Sequence, residues 1–256
     1  MMKKLMLSTG SLALPCYETI NAAEKFCFQG IELILPHEVS RDYLTSVKDA
    51  FSSSKLSTIN LHAPFFSHDL IGYFLFPKAA IRKIFDAIIL ADKTLEPSNL
   101  VLHPFPAFFM KGARISFMRE KLNALRKEVS CTISIENMGL PRNSFLDPNT
   151  LANPKHLADF AKSNGFSLTL DTTHCASRGI SPEKAFDECK DCISNIHLSD
   201  FCNGREHLPL GEGKIGWKSF FSTLKKSNYS GFSTLEIDRK GLAEVSSSKA
   251  LIDKLC

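Results

Sequence analysis

Eight short apolar runs, spread along the whole chain and separated by stretches long enough to form helices, constrain the fold more than any other feature of this sequence. They are KLMLST (4–9), GIELILP (30–36), STINLHAPF (57–65), NLVLHPF (99–105), CTISIEN (131–137), FSLTLDTTH (166–174), CISNIHLSD (192–200) and GFSTLEI (231–237). Between them lie segments of mixed apolar and polar character that predict helices, among them 78–95, 114–129, 155–164 and 218–228. Strands alternating with helices imply a parallel sheet covered by those helices. Two segments open with a capping side chain and a proline at the first helical position: Asn153-Pro154, and Ser181-Pro182 followed by Glu183. An open doubly wound sheet also alternates, but its dinucleotide-binding form needs a glycine-rich turn after the first strand. Here that turn, STGSLALP (8–15), has one glycine and no GxGxxG. The expected fold is therefore α/β, a (β/α)8 TIM barrel with a closed parallel sheet. No repeat, low-complexity tract or Pro/Gly-rich linker interrupts residues 1–256, so one domain is expected.

Composition excludes several other classes. The eight cysteines are scattered rather than clustered, which suits free thiols in a reducing compartment better than a disulfide scaffold. Cys189 and Cys192 form a CxxC, but no second CxxC accompanies it, and a zinc or thioredoxin-like role is not expected. Ser8, Thr9, Gly10 and Ser11 break the first apolar run too early for a secretory leader. No run reaches the length of a membrane span, so a soluble, cytoplasmic protein without a membrane partner is expected. A formal charge of +4 is compatible with an anionic ligand without requiring one.

Strands buried on both faces should be apolar throughout. These runs instead end in His62, His103, Glu136, Asp171 with His174, His197 with Asp200, and Glu236. In a barrel such ends converge on one mouth, where active sites lie. Imidazoles and carboxylates gathered in one partly buried cavity call for a cation. Each residue has a plainer role as well. His62 or His103 could be a hydrogen-bonded core imidazole, and Asp171 or Asp200 a cap of the following turn. The oxygen-rich set Glu136, Asp171, His197 and Glu236 suits Mn2+, Mg2+ or Co2+, whereas adding His62, His103, His174 and His207 supplies nitrogen enough for Zn2+ at more than one position. The number of ions is left open by the residues alone. After Asp200, the segment FCNGREHLPLGEGKIGW contains four glycines and His207 and reads as an active-site loop, with Trp217 and Phe220 seating the next helix.

The motifs NLHAPF, VLHPF, SIENMG, LDTTH, HLSD, HLPLGEGKIGW and TLEI together resemble the xylose-isomerase-like barrel superfamily over essentially the whole chain. That superfamily contains sugar and sugar-phosphate isomerases and epimerases as well as endonuclease IV-like abasic-site nucleases. The resemblance to the isomerases implies one divalent ion on Glu136, Asp171, His197 and Glu236. The two glutamates would also move a proton, and His174 with a loop residue would hold substrate hydroxyls. The resemblance to the nucleases implies three zinc ions: one on His62, His103 and Glu136, a second on Glu136, Asp171, His197 and Glu236, and a third on His174, His207 and an Asp two residues before His207. Arg205 stands at that last position, and a cation cannot be a ligand.

The leading expectation is a divalent-metal-dependent isomerase or epimerase of a small sugar, sugar phosphate or related hydroxy-carbonyl compound. Glu136 and Glu236 are its acid/base pair, while His62, His174 and Arg205 contact substrate. The alternatives are an endonuclease IV-like abasic-site phosphodiesterase, under which alone DNA is a partner, and a non-catalytic metal- or sugar-binding barrel. Homo-oligomers paired through their mouths are an expectation drawn from the isomerases.

Overall fold

The computed structural model describes residues 4–64, 77–107, 110–141, 147–238 and 241–256. Eight parallel strands close on themselves: β1 (Leu5–Ser8), β2 (Gly30–Ile34), β3 (Thr58–His62), β4 (Asn99–Leu102), β5 (Thr132–Glu136), β6 (Ser167–Asp171), β7 (Ile193–Leu198) and, later in the chain, β10 (Phe232–Leu235). Closure is made by β1 against β10, with Leu5, Met6 and Leu7 opposite Ser233, Thr234 and Leu235. The helices are α1 (Cys16–Lys25), α2 (Arg41–Ser52), α3 (Pro77–Leu95), α4 (Lys111–Leu125), α5 (Pro154–Asn164), α6 (Thr172–Ser177), α7 (Pro182–Cys189), α8 (Trp217–Lys226) and α9 (Leu242–Leu255). After β7 the chain forms an antiparallel hairpin, β8 (Asp200–Cys202) with β9 (Arg205–Leu208), before α8. The fold is the expected (β/α)8 barrel. Phe65, the last residue of the third predicted run, lies outside the described residues.

Local chemistry sets the helix starts. Ser40 accepts the Tyr43 amide at the start of α2, Asn153 that of Lys155 at α5, and Ser181 that of Lys184 at α7. Pro154 and Pro182 follow at a position where no backbone donor is required. Helix α5 ends on Gly165 at φ 70°, the left-handed geometry that glycine tolerates best.

Side chains alternate across each strand, and in this barrel the alternation separates two chemistries. The outward set, including Leu7, Ile31, Leu61, Leu100, Ile135, Leu170, Ile196 and Leu235, is buried beneath the helices. The inward set is mostly polar, with Met6 and Val101 among its apolar members. Asn99 donates to Ser134, which is within 2.7 Å of Thr169, while Asn195 donates to Glu32 from across the barrel. Two residues further along β5, β6 and β7 come Glu136, Asp171 and His197, and His62 ends β3 beside them. The barrel interior is thus a hydrogen-bonded polar floor with a ring of ionisable groups above it.

Candidate metal centre at the barrel mouth

Glu136 closes β5 and is the hub of the site. Its Oε2 lies 3.3 Å from Nε2 of His62 and 3.3 Å from Nε2 of His103. Its Oε1 lies 3.3 Å from Nδ1 of His174 and 3.3 Å from Nδ1 of His197. His62 is oriented by Nδ1 donating to the Ala63 carbonyl at 2.8 Å, which directs Nε2 to Glu136. His174 Nδ1 is likewise 2.8 Å from the Asn137 carbonyl. On the far side, His197 Nδ1 is 2.7 Å from Glu236 Oε2 and 3.8 Å from Asp171 Oδ2.

Asp171 takes the capping role with one oxygen and keeps the other free of it. Its Oδ1 accepts the His174 amide at 2.7 Å and caps α6, while Oδ2 has no hydrogen bond among the described residues. Asn137 fixes its backbone, accepting the Asp171 amide at 2.8 Å and donating to the Asp171 carbonyl at 3.2 Å. Asp200, by contrast, is fully occupied by the loop that follows. It accepts from the amides of Phe201, Gly211 and Ile215 and from the indole of Trp217, and so takes the capping role.

His207 arrives on β9 with φ 52°, a left-handed conformation uncommon outside glycine. Its ring meets His174 edge-on at 5.2 Å, and its Nδ1 lies 3.3 Å from the Glu236 carbonyl. Arg205, at the start of the same strand, is exposed and does not line the mouth cavity.

Burial disfavours the charged form of a titratable group, and in this cluster the pairing reverses that effect at some residues and not at others. Burial pulls His174 down, but Asp171 and Glu136 outweigh it and hold the imidazole at about 10. Burial pushes Glu236 up, and His197 reverses that and holds the carboxyl at about 2. Glu136 falls well below the usual carboxylate range because His197, His103 and His174 overcome its burial. At His103 burial prevails and the pKa is lowered, and at Asp171 burial likewise prevails and the pKa is raised.

Three groups of donors have atoms within 4.8 Å of one another: His62, His103 and Glu136; Glu136, Asp171, His197 and Glu236; and Asp171, His174 and His207. Glu136 links the first to the second, and Asp171 the second to the third. The central group fits a divalent cation. It offers three carboxylates and one imidazole, and Asp171 Oδ2 and His197 Nδ1 are buried without a hydrogen bond among the described residues. In the third group the carboxylate beside His174 and His207 is Asp171, while position 205, where the nuclease resemblance implies an Asp, carries the exposed Arg205.

One residue of the site was passed over in reading the sequence. Glu32, in the middle of β2, is fully buried, and its Oε1 lies 3.0 Å from His197 Nε2. Its signal was a carboxylate inside the apolar run GIELILP, the same anomaly that marked Glu136.

The family model described as xylose isomerase-like TIM barrel matches residues 20–255. The chain belongs to this family. An uncharacterized protein of Methanocaldococcus jannaschii, MJ1614, is 29% identical over 199 residues, covering 72% of each chain. Among solved structures, AP endonuclease family 2 from Brucella melitensis aligns with a TM-score of 0.79 at 14% identity, covering 98% of both chains. A D-tagatose 3-epimerase-like protein aligns at 0.77 and 19% identity, covering 98% of this chain and 96% of its own. D-psicose 3-epimerase from Clostridium cellulolyticum H10 aligns at 0.73 and 16% identity, covering 98% of both. At these identities the structural likenesses establish the fold. Among the described residues, no helix is long and apolar enough to cross a membrane.

Proposed function

We propose that this xylose isomerase-like barrel is a divalent-metal-dependent isomerase or epimerase of a small sugar or related hydroxy-carbonyl compound. The observation that carries this reading is the convergence of Glu136 and Glu236 on His197. Glu136 ends β5 and Glu236 directly follows β10, strands separated in the barrel wall by β6 and β7, and both line a cavity of about 860 Å³. That volume suits a small-molecule substrate. The central group of Glu136, Asp171, His197 and Glu236 would hold the ion, which supplies Lewis acidity that polarises a bound carbonyl.

Glu136 and Glu236 approach from different sides of the barrel. One carboxylate removes the proton from the carbon beside the carbonyl, and the other returns a proton to the neighbouring carbon or to the opposite face. His174 and His207, also on the cavity wall, are placed to hydrogen-bond substrate hydroxyls. Leu12, Ile34 and Ile237 supply apolar lining to the same cavity.

Protein reconstituted separately with Mn2+, Co2+, Mg2+ and Zn2+ should catalyse solvent-deuterium incorporation beside the carbonyl of a ketose, with formation of its epimer, read by NMR. Glu136→Gln should lower that rate by about 10²–10⁴-fold with the fold intact. Undiminished exchange in this variant would remove Glu136 from the chemistry.

A second reading, abasic-site phosphodiester hydrolysis, is favoured by His62 and His103 on Glu136 and by the linking of all three donor groups. Metal-dependent incision of a duplex carrying one abasic site, absent in Glu136→Gln, would put this reading first. A loaded protein inactive in both assays would be a binding barrel.

A further inference from the structure

We propose that Glu32 is the positioning residue of this metal centre: its carboxylate takes the Nε2 side of His197 and so commits Nδ1 to the ion. The inference rests on the metal-dependent reading above and assigns a role to a residue that is not itself in any of the three donor groups. Glu32 is fully buried inside the barrel, where an ionised carboxylate persists only with partners. Its Oε2 accepts from Asn195 Nδ2 at 2.9 Å and lies 3.2 Å from the Thr234 hydroxyl. Its Oε1 lies 3.0 Å from His197 Nε2, and His197 is its one ion-pair partner among the described residues. The approach is off the line of a straight hydrogen bond, so neither Oε1 nor Nε2 has a hydrogen bond among those residues.

The arrangement divides the His197 ring into two faces. Nδ1 meets Glu136, Asp171 and Glu236, and among the described residues Nε2 forms an ion pair with Glu32 alone. An imidazole ligates through only one of these nitrogens, and a carboxylate beyond the other fixes both the tautomer and the ring orientation. Glu32 is itself held from β7 and β10, by residues two positions before His197 and Glu236 on those chains. The floor of the barrel is thereby tied to the donor ring above it.

The test compares Co2+ and Zn2+ affinities of wild type and Glu32→Gln by competition with a chromogenic chelator, together with the visible spectrum of the Co2+ form. Affinity should fall about 10–100-fold and the Co2+ bands should shift. In a His197→Ala background, Glu32→Gln should cause no further loss. Wild-type affinity and spectrum in Glu32→Gln, or an equal loss in the His197→Ala background, would overturn the role. Should Glu32→Gln not fold, 15N NMR of the Zn2+-loaded wild type decides. A proton on His197 Nε2 with Nδ1 ligated is expected, and the reverse tautomer overturns it. Wild type that binds neither ion removes the metal centre itself. Wild type that binds, with an indifferent Glu32→Gln, removes only this inference.

Discussion

Asp171 and Asp200 end neighbouring apolar runs, yet their carboxylates have different fates, and the difference lies in which donors surround each one. Asp171 spends one oxygen on the first turn of α6 and leaves the other facing His197. Asp200 receives four donors within 3.0 Å and holds the loop that carries α8. Asp200→Ala would leave the buried Trp217 indole and three part-buried amides without their acceptor and should destabilise the fold by about 1–3 kcal/mol. Trp217, the one tryptophan in the chain, reports the change directly, because losing its indole acceptor should shift its emission maximum. An unchanged spectrum and denaturation midpoint would show that the loop is anchored elsewhere.

At the level of elements, the eight strands were legible because buried apolar residues recur at every second position of short segments, and where they give way to the next element was not. LDTTH reads as a continuing strand, but Asp171 caps a helix there and places His174 one turn beyond the barrel. The segment after Asp200, read as a glycine-rich loop, contains a hairpin whose Asn203 and Gly204 have φ of 51° and 74°. That Asn-Gly pair was a hairpin signal in plain sight, and it delivers His207 to the site while leaving Arg205 on the surface. Two glycines separate packing from backbone propensity. A Cβ on Gly30 would lie 2.0 Å from the Thr58 carbonyl oxygen, so Gly30→Ala must push β2 off β3 and should cost about 1–3 kcal/mol. A Cβ on Gly112 in α4 meets nothing within 4 Å, and Gly112→Ala should stabilise by about 0.5–1 kcal/mol. Chemical denaturation of the two variants measures both, and like signs would refute the packing account.

For the molecule as a whole, the donor groups couple stability to ion binding. Their residues come from β3, β5, β6 and β7, from chain just beyond β4 and β10, and from α6 and β9, so an ion held among them ties most of the barrel together. An ion bound only by the folded state should stabilise it by about 2.7 kcal/mol at one hundred times its Kd. Tm should therefore rise with Mn2+, Co2+ or Zn2+ concentration and fall back on chelation. A Tm indifferent to all three ions would argue against a preformed site.

Much of this protein follows from its sequence, because the forces concerned act on strings of neighbouring residues. Short apolar-rich segments alternating with helical ones dictate parallel strands, Asn153-Pro154 and Ser181-Pro182 dictate helix starts, and ionisable residues at strand ends dictate a polar mouth. The pairings that make the mouth chemical are decided by barrel closure. Only with β1 locked against β10 do Glu32 and His197 stand 3.0 Å apart, although 165 positions separate them in the chain (197 − 32). Likewise, only the folded hairpin turns His207 toward His174 and leaves Arg205 in solvent. Sequence specifies which groups must be buried, and tertiary structure specifies which of them share a charge.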